Sequence, residues 1–164
     1  MSTQDNLQAA FAGESQANRK YLAFSEKAKK EGFDKVSRLY QAVAEAETIH
    51  ALKHFQVMQG VGSTLENLAA AVAGEHHEFT EMYPAFITEA KEEGNQAAEF
   101  SFTNANEAEK IHHQLFEKAR QAVAGGSDFP AEQFYLCPVC GWVGGEDPGR
   151  CPICGAPSSV FKNF

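Results

Sequence analysis

One five-residue phrase occurs twice in this chain. Ala46-Glu47-Thr48-Ile49-His50 returns as Ala108-Glu109-Lys110-Ile111-His112, 62 residues later. A Glu and a His three apart on a helix project from one face, about one turn apart. Such a carboxylate and imidazole can hold one metal ion or two neighbouring ions. In helical bundles, two Glu-x-x-His pairs joined by one Glu from each remaining helix make a dinuclear carboxylate site. Glu14 and Glu75, in the matching phrases Ala12-Gly13-Glu14 and Ala73-Gly74-Glu75, are the candidates for those two positions. A second metal chemistry closes the chain. Cys137-Pro138-Val139-Cys140-Gly141 and Cys151-Pro152-Ile153-Cys154-Gly155 bring four thiolates within reach of one ion. Four thiolates suit tetrahedral iron or zinc.

Helices must position the carboxylates. The spacing predicts a helix over 3–31, stopped at Gly32, and a second from Asp34, read as its N-cap, to Gly60. Val36, Val43, Glu47, His50, His54 and Val57 share one stripe of that helix. Glu47 and His50 thus lie among apolar residues, where a carboxylate needs a partner or a metal. Ser63-Thr64-Leu65-Glu66 has the form of a capping box and opens a third helix, expected to run to Glu93. Pro84 lies inside it and should bend it or free a carbonyl. A fourth helix is expected over 95–124.

The four helices are two copies of one hairpin. Tyr21 matches Tyr83, Ala28 matches Ala90, and Glu31-Gly32 match Glu93-Gly94, all 62 apart, whereas Glu14 and Glu75 are 61 apart. One residue is therefore inserted between Glu75 and Tyr83. Helices absorb such an insertion as a π-bulge, often at a functional site, so a bulge or kink is expected within 76–83. The same stretch adds Glu78, whose counterpart is Ala17. Glu78 is a seventh candidate ligand without a symmetry mate. His54 is a weaker candidate, because its repeat position is Phe116, and His76, His77 and His113 read as surface or supporting residues.

Gly125-Gly126-Ser127-Asp128-Phe129-Pro130 breaks the helical pattern, giving domains 1–126 and 127–164. The second has too few residues for an adequate core, so its folding must depend on metal. Tyr135, Trp142, Phe161 and Phe164 are its expected aromatic core. All four cysteines lie in this part, unlike a secreted disulfide framework. The net charge of −8 argues against nucleic acid. No apolar run approaches the roughly 20 residues that cross a membrane. The N-terminus lacks the pattern of a signal peptide, and a cytoplasmic location is expected.

A carboxylate-rich bundle followed by two Cys-Pro-x-Cys-Gly knuckles resembles the rubrerythrin family. The resemblance spans essentially the whole chain. It rests on Phe11-Ala12-Gly13-Glu14-Ser15, Glu47-x-x-His50, Gly74-Glu75-x-x-Glu78 with Glu81-Met82-Tyr83-Pro84, Glu109-x-x-His112, and the knuckles. It implies a mainly α, ferritin-like four-helix bundle with a small rubredoxin-like metal-knuckle domain. It further implies a di-iron peroxidase that reduces hydrogen peroxide to water, with a tetrathiolate iron returning electrons from a reductase or rubredoxin. By resemblance, Glu47 and Glu109 bridge the irons, Glu14 and Glu75 are terminal ligands, and His112 binds the iron nearer Glu75. The other iron exchanges Glu78 for His50 with redox state, which makes those two the catalytic pair. Tyr21 and Tyr83 are either hydrogen-bonding groups at the site or ordinary core aromatics. Zinc at the cysteines and manganese at the carboxylates stay open. So do two other functions: iron oxidation or handling, and a non-enzymatic metal scaffold with a zinc ribbon.

The connection between the hairpins carries its own constraint. About 13 residues follow Glu47 before Gly60, and about 12 precede Glu75, roughly 20 and 18 Å of helix. A parallel arrangement with both Glu at one level needs a return of nearly 40 Å, the sum of those rough helix lengths. Residues 61–63 span only roughly 10 Å. Either the bundle is simple up-and-down, or the hairpins exchange between two chains. The exchange, in a homodimer or higher oligomer, is the favoured expectation.

Overall fold

The computed structural model describes residues 2–164. The chain forms α1 (Thr3–Lys30), α2 (Asp34–Val57), α3 (Thr64–His77), a π-helical turn (Glu78–Met82), α4 (Tyr83–Glu92) and α5 (Gln96–Ala124). Three two-residue strands follow: β1 (Tyr135–Leu136), β2 (Val143–Gly144) and β3 (Lys162–Asn163), with a 3₁₀ turn at Ser158–Val160. Two compact units result, Met1–Gly62 and Ser63–Phe164. The compositional break at 126/127 falls inside the second unit.

The first unit is the α1–α2 hairpin. Ser2 and Asp5 form a reciprocal capping box at the start of α1, and Lys27, Lys29 and Lys30 face its negative end. Gly32 closes it at φ +84°, and Phe33 N–H reaches back to the Ala28 carbonyl at 2.9 Å. Asp34 does not cap α2 as the sequence suggests. Phe33 holds the cap position without a side-chain bond, and Asp34 lies within the first turn, where its charge still favours the helix dipole. The close turn that ends α1 fixes this, because Phe33 serves both helix ends. The helix also stops at Val57 rather than Gly60, since Gln59 turns left-handed at φ +57°. Small residues let the helices approach: Ala28, Ala44 and Ala51 are buried. Buried Asn18 donates to the Ala44 carbonyl at 2.6 Å and to Thr48 Oγ1 at 2.8 Å, and Ser25 pairs with Ser37 at 2.9 Å.

The second unit repeats the hairpin and adds the cysteine module. Ser63 and Glu66 form the expected capping box. The expected insertion appears as the π turn at Glu78–Met82, where Tyr83 N–H bonds to the Glu78 carbonyl. Pro84 follows in the first turn of α4, where its missing N–H costs little. Tyr83 and Phe86 pack at 6.3 Å between centroids, as do Tyr21 and Phe24 in the first unit. Past Gly126, a three-stranded antiparallel sheet in the order β2-β1-β3 frames the cysteines. Trp142 is buried with Cys137 and Cys151, and Tyr135, Phe161 and Ile111 of α5 pack against them. Phe164 corrects the expected aromatic core: it is 72% exposed, held only through backbone bonds with Phe134. Sheet pairing turns its side chain outward. No helix among the described residues is long and apolar enough to cross a membrane.

Ser63→Ala should remove the cap of α3 and cost about 1 kcal/mol. A melt should show Tm lowered by about 2–4 °C.

Candidate metal centres

Each hairpin gathers one set of three donors. In the first unit, Glu14, Glu47 and His50 bring ligand atoms within 4.8 Å of one another. His50 Nδ1 lies 3.0 Å from Glu47 and 3.9 Å from Glu14. In the second, Glu75, Glu109 and His112 do the same, with His112 Nδ1 2.6 Å from Glu109 and 3.6 Å from Glu75. The repeat read from sequence thus becomes a repeat of geometry, carried by the helix-spaced Glu-x-x-His pairs.

The two sets differ in their surroundings. The His50 side chain is 56% exposed and that of His112 is 21% exposed. His112 Nε2 is 2.9 Å from the Gly141 carbonyl in the first knuckle. That bond places a proton on Nε2 and, in the neutral ring, leaves the Nδ1 lone pair for a metal ion shared with Glu75 and Glu109. His50 Nε2 has no partner among the described residues. No local pattern of residues signals the His112–Gly141 bond, which joins groups 29 residues apart.

Electrostatics mark the second set as a cation site. Burial, followed by the Glu109 carboxylate, pushes Glu75 up to about 7. A 410 Å³ cavity lined by Leu68, Leu115, Phe116 and Phe129 adjoins Glu75 and His112. The hydrogen bond with His112 holds Glu109 below the usual carboxylate range, and its partner effect raises His112. Glu75 Oε2 is buried without a hydrogen-bond partner. A divalent cation would satisfy that orphaned oxygen and remove the repulsion, so the residues present fit a metal. Burial and Glu109 also raise Glu78. Glu78 lies outside the three-donor set yet within its field. Burial and the same three carboxylates raise Tyr83. His54 joins neither set, and His113 is engaged with the Val72 carbonyl at 3.2 Å.

The four cysteines converge as the knuckle spacing requires. Their sulfurs lie within 4.8 Å of one another, with Cys137–Cys154 at 3.6 Å and Cys140–Cys151 at 3.3 Å. A tetrahedral thiolate site with bonds of about 2.3 Å has edges of about 3.8 Å. Gly141 and Gly155 turn at φ +84° and +74°, each donating to the carbonyl of the first Cys in its knuckle. Burial raises Cys140, as does thiol crowding. Burial acts the same way on Cys151, but backbone N–H groups of Cys154 and Ile153, with Cys140, bring it down to about 7. One thiol of the cluster is thus already prepared to bind as thiolate.

Helical hairpins with Glu and His donors, followed by a four-cysteine knuckle, define a metal-binding protein of the carboxylate-bundle class. Comparison with known proteins gives the same answer. Residues 5–120 match the rubrerythrin family model, and residues 135–162 match the model for the rubrerythrin rubredoxin-like domain. Rubrerythrin-2 of Clostridium acetobutylicum is 36% identical, covering 99% of this chain and 96% of the relative. Nigerythrin of Nitratidesulfovibrio vulgaris is 37% identical, covering 99% and 87%. The structure of partially reduced nigerythrin superposes with a TM-score of 0.59 at 36% identity, covering 100% of this chain and 87% of that one. The chain belongs to the rubrerythrin family.

Metal uptake at the carboxylates should weaken as the pH falls. Glu75 is protonated below about 7, so a bound cation must displace that proton. Anaerobic ferrous titrations of the metal-free carboxylate site should show affinity falling about tenfold per pH unit for each proton displaced. Glu75→Gln should reduce that slope.

Proposed function

We propose that this protein is a non-haem di-iron peroxidase that reduces hydrogen peroxide to two waters. Glu14, Glu47, His50, Glu75, Glu78, Glu109 and His112 would hold the two irons, and Cys137, Cys140, Cys151 and Cys154 a third. The iron pair would supply the two electrons that cleave the O–O bond, and the tetrathiolate iron would replace them one at a time. The observation that carries this reading is the His112–Gly141 hydrogen bond. Gly141 directly follows Cys140, so a metal-facing imidazole and a metal-facing thiol are separated by one residue and one hydrogen bond. A structural zinc ribbon has no need of that link.

The unequal histidines support the exchange of Glu78 for His50. His112 is tethered at Nε2 to the Gly141 carbonyl, whereas His50 has no such bond, so His50 is the imidazole able to leave. Glu78 is placed by the π turn that breaks the repeat. The carboxylate donors also accept manganese, so metal analysis of the purified protein belongs with any assay. Thiols kept for metal suit a reducing compartment, which supports a cytoplasmic location.

We further propose that the site is completed between two chains, residues 1–60 of one with 63–124 of the other. The short connection motivates this, and each unit holds one whole set of three donors.

Anaerobically reduced protein given one equivalent of peroxide should reoxidise both kinds of iron centre stoichiometrically. The ferric tetrathiolate should be red, where zinc would be colourless. Glu78→Ala should lose most peroxide turnover while keeping that colour; wild-type turnover would remove the exchange from the mechanism.

Glu47→Ala and Glu109→Ala variants should each lose the di-iron centre. Refolded together, exchanged dimers should regain one intact site per mixed dimer. Unexchanged chains would regain none.

A further inference from the structure

The internal repeat also relates two buried amides. In the first hairpin, Asn18 on α1 reaches across the seam and donates to the Ala44 carbonyl of α2 at 2.6 Å and to Thr48 Oγ1 at 2.8 Å. In the second hairpin the amide has changed sides. The offset of 62 carries Ala44 to Asn106 on α5. The place of Asn18 falls on Phe79 or Thr80, according to which side of the inserted residue it is counted from. Ala44 and Asn106 are 1% and 8% exposed, so each is buried in its own hairpin.

Asn106 is poorly satisfied where it lies. Its Oδ1 is buried and finds no hydrogen-bond partner among the described residues. Its Nδ2 reaches only Glu107 Oε1, at 3.5 Å, longer than an ordinary amide bond. A buried amide in that state costs free energy that an apolar residue would not. The groups level with it explain its presence. α5 packs against the π turn. On α5, Asn106 lies between Phe102, which packs on Tyr83 at 6.3 Å, and His113, which packs on Phe79 at 5.4 Å. Asn106 therefore stands level with the stretch from Phe79 to Tyr83. That stretch is short of a donor. Pro84 has no N–H, so it serves neither the Phe79 carbonyl across a π turn nor the Thr80 carbonyl across an α turn. The Thr80 hydroxyl is engaged with the His76 carbonyl at 2.6 Å. A half-turn about χ2 of Asn106 exchanges two amide ends of nearly equal size and presents Nδ2–H where Oδ1 stands alone.

We propose that Asn106 is a positioning residue for Glu78: its amide, so turned, donates to the Phe79 or Thr80 carbonyl that Pro84 leaves without a donor, and thereby holds the π turn in place. The clasp is that of Asn18 with its direction reversed. Glu78 is the first residue of the turn. If the turn slides by one residue, Glu78 rotates by roughly 100° around the helix axis, away from Glu75 and Glu109. A bond to the backbone thus fixes where this carboxylate enters the site, without Asn106 itself touching the metal. The consequence for Glu78 rests on its proposed exchange with His50; the clasp does not.

Asn106→Leu removes the donor at nearly equal volume. Asn106→Ala serves if Leu does not fit, because Ala44 already fills this place in the first hairpin. Iron-loaded wild type and variants are compared by hydrogen–deuterium exchange with mass spectrometry and by Mössbauer spectroscopy in both oxidation states. Backbone amides of residues 79–86 should exchange about tenfold faster in the variants, while those of α1 keep the wild-type rate. The oxidised variants should give the spectrum of oxidised Glu78→Ala, and the reduced variants that of reduced wild type, in which Glu78 is displaced by His50. Asn106→Leu combined with Glu78→Ala should lose no more turnover than Glu78→Ala alone. Wild-type deuterium exchange across 79–86 would overturn the clasp. So would equal acceleration in every helix, which would make Asn106 a general packing residue. Faster exchange at 79–86 with an unchanged oxidised spectrum would overturn the positioning of Glu78. Wild-type turnover by Glu78→Ala would instead remove the ligand-exchange reading, with the clasp still decided by the deuterium exchange.

Discussion

Carboxylates crowded into a half-buried place are the constraint on which the molecule depends. Glu75 and Glu109 share one small region with His112, and burial drives Glu75 toward holding a proton. Glu75 Oε2 finds no donor. A fold selected only for stability would place an apolar residue there, since an unpaired buried carboxylate is costly. A bound cation turns the same group into a ligand set. The helices around it are accordingly held by other means: alanines at close approach, serine and asparagine bonds between α1 and α2, and aromatic clusters beyond the ligands.

Duplication explains the economy of the design, and one inserted residue explains its asymmetry. Two hairpins whose first helices open on matching capping boxes, with the same Tyr–Phe pair and the same Glu-x-x-His phrase, give two similar donor sets. The π turn at Glu78–Met82 then adds one carboxylate to one of them. A widened turn accommodates an extra residue without shifting the caps on either side, so Gly32 and Gly94 still close their helices in the same left-handed way. The symmetry of the protein is kept in its ends and broken at its chemistry.

The cysteine module depends on metal for its core and on α5 for its seat. Trp142 and two buried cysteines are too little to fold alone, and Ile111 adds to them from the helix. The seat also binds His112 through Gly141, so the same packing that stabilises the module orients a donor of the other centre. His50, its repeat counterpart, has no such support and is correspondingly exposed.

Much of this was legible in the sequence because it is local. Helix spacing, capping boxes, terminal glycines and Cys-x-x-Cys turns depend on residues within a few positions of one another. Even the π turn was visible, as a change in repeat offset, because an insertion must be absorbed where it occurs. The misses were long-range or shared. Phe33, not Asp34, holds the α2 cap because two helix ends compete for one short turn. Phe164 is exposed because strand pairing decides which way its side chain points. The seating of the module on Ile111, the bond from His112 to Gly141, and the unequal burial of the two histidines were decided by tertiary structure alone. They depend on which surfaces meet across many residues, and no local pattern of residue types encodes that.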